Sequence, residues 1–85
     1  MKSFTYTVKD ELGIHARPAG MIVTEAKKFT STITIDAGAK KAVATKLIAI
    51  MSMGVKTGQT VTVTAEGADE DAAIACMQEF FEANL

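Results

Sequence analysis

The chain has 85 residues, 48% hydrophobic and 22% charged, an ordinary composition for a small globular protein that buries roughly 60 to 65% of its unfolded surface around one modest core. Nine basic and ten acidic residues leave a net charge of −1, which exerts no long-range pull on nucleic acid or an anionic membrane, and no apolar run approaches the roughly 20 residues of a bilayer span. The single cysteine, Cys76, can form no internal disulfide, and with one histidine in the chain no structural zinc set can be completed, so Cys76 reads as a small core residue and no metal is expected.

The first residues, Met1 to Tyr6, lack the continuous apolar stretch of an export signal, and a cytoplasmic location is expected. Phe4, Tyr6 and Val8 alternate with Ser3, Thr5 and Thr7, the period of a strand with one apolar side. Residues 16 to 28 follow as an amphipathic helix, with Ala19, Ile22, Val23 and Ala26 on the stripe that covers the sheet. "TITID", residues 32 to 36, sets Ile33 and Ile35 on one face, and a turn containing Gly38 leads to a short strand near Lys40 to Ala44. "KLIAIMSMG", residues 46 to 54, ends at Gly54, a suitable helix C-terminal cap. It reads as a short helix, although a strand fits its composition nearly as well. "TVTVT", residues 60 to 64, repeats the earlier rhythm with Val61 and Val63 inward. Asp69, Glu70 and Asp71 then form an acidic first turn ahead of Ile74, Met77 and Phe81, the pattern of a last helix. The order is β-α-β-β-α-β-α: an α+β fold in one domain over residues 1–85, with three helices on one face of a four-stranded antiparallel sheet and water on the other. No linker, low-complexity tract or long repeat interrupts it.

The stretch "GIHARPAG", residues 13 to 20, holds the only histidine and the only proline. An imidazole at its reference pKa of about 6.5 is largely neutral at pH 7 and can attack an electrophile without first losing a proton. His15 sits where the first helix begins, so the amides of Ala16 and Arg17 can face an anion, and Pro18 is tolerated because a first-turn residue needs no intrahelical N–H bond. A phosphoryl group on the ring would feel the positive helix end, worth about 0.3 to 1 kcal/mol when exposed and up to about 2 when partly buried. The Arg17 guanidinium would add a planar fork of donors, and no carboxylate lies between Leu12 and Thr24 to repel the added charge. A lone histidine at a helix start is more often a surface residue or a cap, and a lone arginine a solvated charge; the constellation of Gly, His, Arg and Pro favours a site for covalently held phosphate.

With these residues the chain resembles the histidine-containing phosphocarrier family, HPr, of the bacterial sugar phosphotransferase system. "GIHARPA" is similar to the family's active-site motif, and the likeness continues through "IMSMGV", residues 50 to 55, and "AEGADEDAA", residues 65 to 73, across essentially the whole length. The resemblance implies an open-faced β-sandwich in which enzyme I passes a phosphoryl group to Nδ1 of His15, Arg17 steadies it, and a sugar-specific enzyme IIA receives it. The protein is then a carrier with no cofactor, a reusable substrate rather than an enzyme. Both partners would dock around His15. Arg17, Gly20, Met21 and Thr24 lie along one stripe of the first helix, beside the core stripe. Gly20 costs that helix about 1 kcal/mol relative to alanine, which a close partner or a helix-packing contact could justify. The resemblance adds Leu47, Ile48 and Met51 to the docking surface, whereas their composition alone would assign them to the core.

Two positions depart from the family pattern. Many Gram-positive relatives carry a regulatory serine at position 46, where this chain has Lys46; that branch is expected to be absent or to use Thr45 or Ser52. A lysine is a poor helix cap, and Thr45 is expected to take over that role, while Lys46 could pair with acidic groups on a partner. Leu12 replaces a small polar residue, which bears on loop hydrogen bonding rather than on the modified residue. The competing reading is a regulatory binding module of the same fold, serving transcriptional or metabolic regulators through the same surface. A metal-assisted hydrolase has little support, and nothing demands more than a monomer.

Overall fold

Alternation of threonine with apolar residues builds the sheet, and two amphipathic helices with a short third close its inner face. The computed structural model describes residues 1–85 in the order β1 (Lys2–Thr7), α1 (Ala16–Ala26), β2 (Thr32–Asp36), β3 (Lys41–Val43), α2 (Leu47–Ser52), β4 (Thr60–Glu66) and α3 (Glu70–Asn84). The strands lie in the order β1-β4-β2-β3, every neighbouring pair antiparallel. The βαββαβα order and the one-sided sheet expected from the sequence are both present.

Register explains why the two faces differ. Phe4 stands opposite Val63, Val63 opposite Ile35, and Ile35 opposite Ala42, so one apolar row crosses the whole sheet on the inner side. The adjacent row, Ser3, Thr64, Thr34 and Val43, is turned outward, with Val43 its one exposed large apolar residue. Side chains alternate faces at every residue, and β-branched threonine suits a wet pleated surface. Ile33, Ile35, Val61 and Val63 are all buried. On β1, at the sheet edge, Phe4 and Tyr6 are only half-buried; each meets the fully buried Phe81 of α3 edge to face, with ring centroids 5.7 and 5.8 Å apart.

The helices share one continuous core cluster with the strands. Helix α1 packs against α2 on one side and α3 on the other, α3 lies on β1 and β4, and α2 lies on β3. Ala19, Ile22 and Ala26 are buried as the periodicity requires, and Val23 lies half-buried at the rim. Helix α1 stops at Ala26 rather than at residue 28, because Lys28 and Phe29 donate to Glu25 and Ala26 in tighter three-residue turns. The apolar stretch after residue 46 is a helix, followed by Gly54 at φ +62, and Lys40 Nζ reaches the Ser52 carbonyl at 3.3 Å near its C-terminal end.

Three local expectations are corrected. Lys46, not Thr45, occupies the N-cap of α2, with no side-chain cap bond; Thr45 lies one residue outside the position from which a hydroxyl reaches the first-turn amides. Asp69, expected in the acidic first turn of α3, is instead its N-cap residue and makes no side-chain cap bond; Glu70 and Asp71 are in that turn. The Asp69 carboxylate turns across the molecule to accept from the Thr30 and Ser31 amides at 2.9 Å and from the Ser31 hydroxyl. Cys76 is half-buried on α3 and lies outside the core cluster; partial burial pushes its thiol pKa up.

Candidate functional site

The connection between β1 and α1, residues 8 to 15, has no regular structure and is held from both sides by main-chain hydrogen bonds. Val8 donates to Gln59 O and accepts from the Gly58 amide, at 2.9 and 2.8 Å, which extends the β1 pairing one residue past the strand. Lys9 and Asp10 donate to the Leu85 main-chain oxygen at 2.5 and 2.7 Å. Asp10 and Gly13 close a turn, the Gly13 amide reaching Asp10 O at 2.9 Å while Asp10 Oδ1 accepts from the Leu12 amide, also at 2.9 Å. Aspartate first and glycine fourth is a favoured turn pattern. Gly13 adopts φ +68 with the Val55 carbonyl pressed against it, and Ile14 donates to that carbonyl at 3.0 Å. Ile14 is itself in the core. The backbone that delivers His15 is thus fixed by groups from the β4 approach, the end of α3 and the segment after α2.

His15 is the N-cap of α1, in extended conformation, and its side chain makes no cap bond. The intrahelical ladder starts with Ala19 donating to His15 O at 3.0 Å. The Ala16 and Arg17 amides therefore have no acceptor within the helix, and Pro18 has no amide hydrogen to leave unpaired. The imidazole is 34% exposed, and no acidic residue lies in the first turn of α1. A hollow of about 220 Å³ opens beside it, lined by Asp10, His15, Arg17, Pro18, Met21 and Asn84. A ring one-third exposed at a helix mouth, sharing an open hollow with Arg17, can present a nucleophilic nitrogen to an anionic electrophile.

Of the expected site residues, His15, Arg17 and Met21 line this hollow, whereas Ala16, Gly20, Thr24, Leu47, Ile48 and Met51 do not. Ala16 and Arg17 are exposed in the first turn of α1, Met21 and Thr24 are exposed further along it, and Gly20 is half-exposed between them. A Cβ built on Gly20 would meet nothing within 4 Å, so no helix packs against it and the packing explanation for this glycine is excluded. A second, shallower groove of about 350 Å³ runs from Arg17 along Gly20, Met21 and Thr24 to Phe80. Leu47 and Met51 are about two-fifths exposed and Ile48 is 74% exposed, against the core assignment that composition alone would give them. They stand on α2, which packs against α1; none of the three lines the hollow, and with Met21 they are the exposed large apolar residues of these two helices. Lys46 is exposed at the start of α2.

Two lining residues were not foreseen. Asp10 brings Oδ1 to 3.9 Å from His15 Nε2, so a carboxylate does stand beside the ring although none lies in the sequence segment around it. The Asp10-Glu11-Leu12-Gly13 turn pattern was the available signal. Asn84 arrives from the far end of the chain, where α3 ends beside the β1–α1 loop, and no local pattern could announce it. Nowhere do three or more His, Cys, Asp or Glu side chains converge, and no helix is long and apolar enough to cross a membrane.

The family model described as PTS HPr component phosphorylation site matches residues 2–83. The phosphocarrier protein HPr of Mycoplasma capricolum is 39% identical over 79 residues, 93% of this chain and 89% of that protein. The crystal structure of an HPr from Thermoanaerobacter tengcongensis superposes with a TM-score of 0.92 at 41% identity, covering 98% of this chain and 93% of the other. The catabolite repression containing protein Crh of Bacillus subtilis, described as a swapped-domain dimer, superposes at 0.78 with 34% identity, over 94% and 92% of the two chains. A match over nearly the whole length, centred on a fold that holds one imidazole at a helix mouth, means that this chain belongs to the HPr phosphocarrier family of the phosphotransferase system.

Proposed function

We propose that this chain carries phosphoryl groups: His15 accepts one through Nδ1 from phosphorylated enzyme I and delivers it to a sugar-specific enzyme IIA. The observation that carries this reading is the imidazole, one-third exposed at the mouth of α1, in one open hollow with Arg17. The Nδ1 lone pair attacks the phosphorus of the donor, the donor's bond to phosphorus breaks, and its electron pair returns to the donor. The phosphoryl oxygens then face the helix end and the Arg17 guanidinium, both of which strengthen as negative charge gathers there. Delivery is the same step in reverse, with the imidazole as leaving group. Met21 on α1 and Leu47, Ile48 and Met51 on α2 supply exposed apolar contact for a partner, with Gly20 and Thr24 admitting a close surface. Such a patch suits a small, fast-dissociating interface.

The likeness to Crh supports a second role, in which regulators dock on the same surface. His15 and Arg17 together favour the carrier. Incubation with enzyme I and phosphoenolpyruvate should add one phosphoryl group that is labile in acid and stable in alkali. His15→Ala should gain none, and Arg17→Ala should transfer about tenfold or more slowly, the scale of one hydrogen bond to a charged group. A wild-type protein that stays unmodified in the presence of a competent donor overturns the reading.

A further inference from the structure

We propose that Asp10 is a positioning residue for the imidazole: its carboxylate holds the proton on Nε2 of His15, which leaves Nδ1 as the nitrogen with a free lone pair. The inference rests on the carrier reading and deepens it. Asp10 Oδ1 lies 3.9 Å from His15 Nε2, both side chains about one-third exposed, and both line the hollow that also contains Arg17. The carboxylate does not wander. Its Oδ1 accepts from the Leu12 amide at 2.9 Å, the Asp10 amide donates to Leu85 O, and its carbonyl receives the Gly13 amide. A turn anchored at three points therefore keeps a negative charge on one side of the ring.

A neutral imidazole has one protonated and one bare nitrogen, and an adjacent anion favours the tautomer whose N–H points toward it. With Nε2 facing Asp10, the bare nitrogen is Nδ1. When the Nδ1 lone pair forms its bond to phosphorus, and the donor's bond to phosphorus breaks with its pair returning to the donor, Nε2 keeps its proton and the ring acquires positive charge. That charge faces Asp10. In delivery the same protonated ring is the better leaving group, so the carboxylate assists transfer in both directions while Arg17 engages the phosphoryl oxygens.

The test is the tautomer of the unphosphorylated protein. In wild-type protein labelled with ¹⁵N in the imidazole, at alkaline pH, the ring nitrogen shifts should report Nε2–H in excess of the ratio found for free histidine. Asp10→Asn keeps an oxygen acceptor for the Leu12 amide and removes the charge; it should lower the Nε2–H to Nδ1–H ratio by about threefold, the scale of one half-exposed charge interaction, and slow phosphoryl transfer by a similar factor. Asp10→Glu, which restores the charge on a side chain longer by one methylene, should recover part of the ratio. An unchanged ratio in Asp10→Asn, or a wild-type ratio equal to that of free histidine, overturns the proposal. If Asp10→Asn does not fold, the wild-type and Asp10→Glu ratios decide between the same two outcomes. Failure of the wild type to accept a phosphoryl group would remove the carrier reading instead, and the tautomer ratio does not depend on it.

Discussion

Replacing Gly13 by alanine tests how the fold holds the imidazole in place. Gly13 has φ +68, and a Cβ there would stand 2.2 Å from the Val55 carbonyl oxygen and 2.6 Å from Lys56 Cα, both main-chain atoms that cannot swing aside. The same Val55 oxygen accepts the Ile14 amide at 3.0 Å, so pushing the two strands of the loop apart also lengthens that bond. A left-handed conformation costs an L-residue about 1 to 2 kcal/mol, overpacking about 1 to 3, and the weakened hydrogen bond about 0.5 to 1.5. Stiffening of the unfolded chain offsets about 0.4 to 1 kcal/mol. The net loss is about 2 to 5 kcal/mol, a large part of the roughly 4 to 13 kcal/mol that a domain of this length possesses. Gly54→Ala is the matched control, because Gly54 has φ +62 and a Cβ there meets nothing within 4 Å. Only the backbone term applies to it, about 1 kcal/mol. Urea unfolding of the two variants at one temperature, extrapolated linearly to water, measures both losses. Gly13→Ala should be the less stable by several times the loss in Gly54→Ala, and it should accept phosphoryl groups more slowly under conditions where both are folded. Equal losses would refute the argument that the contact with Val55 and Lys56 fixes the approach to His15.

Gly20→Ala should raise stability by about 0.5 to 1 kcal/mol, since the site is helical and its Cβ enters open space, while slowing transfer with enzyme I or enzyme IIA; thermal unfolding and transfer rates would separate the effects, and an unaltered rate would remove Gly20 from the docking surface. Asp69 is held down to about 2, from an ordinary 3.8, chiefly by the Ser31 hydroxyl and then by the Thr30 amide. A depressed carboxyl stabilises the fold above the unfolded-state pKa and loses that contribution as pH falls through the folded one, so urea midpoints of the wild type should drop between about pH 4 and pH 2 more steeply than those of Asp69→Asn.

The sheet was legible because one-sided burial leaves a mark at every second residue: Ile33, Ile35, Val61 and Val63 had to share a face, and they do. Helix α1 was legible for the same reason at helical period. Its entrance was equally plain, because Gly13, His15 and Pro18 each impose a local requirement that the neighbouring residues can be checked against. What failed to show was whatever depends on contacts between distant segments. Asp69 lies in an acidic helix start, and the helix dipole accounts for it until Thr30 and Ser31 arrive from the α1–β2 connection and take its carboxylate. Leu47, Ile48 and Met51 are apolar and helical, and composition cannot say that α2 is too short and too peripheral to bury more than Ile50 along its length. Asp10 is separated from His15 by a turn, and only the closing of that turn brings the carboxylate to the ring.

These placements make the strength of the site conditional on a partner. Alone, His15 is one-third exposed in an open hollow, where solvent screens the helix end, Arg17 and Asp10, and holds each interaction to the modest scale of the surface. A partner that covered the hollow would expel its water. The same charges then act through a lower dielectric and count for more. The main-chain bonds from residues 8 to 14 already fix the approach to His15 in the free chain. The proposed carrier role would need that asymmetry: interactions strong enough for transfer inside a complex, and weak enough outside it that a phosphorylated His15 could leave one partner and yield its cargo to the next.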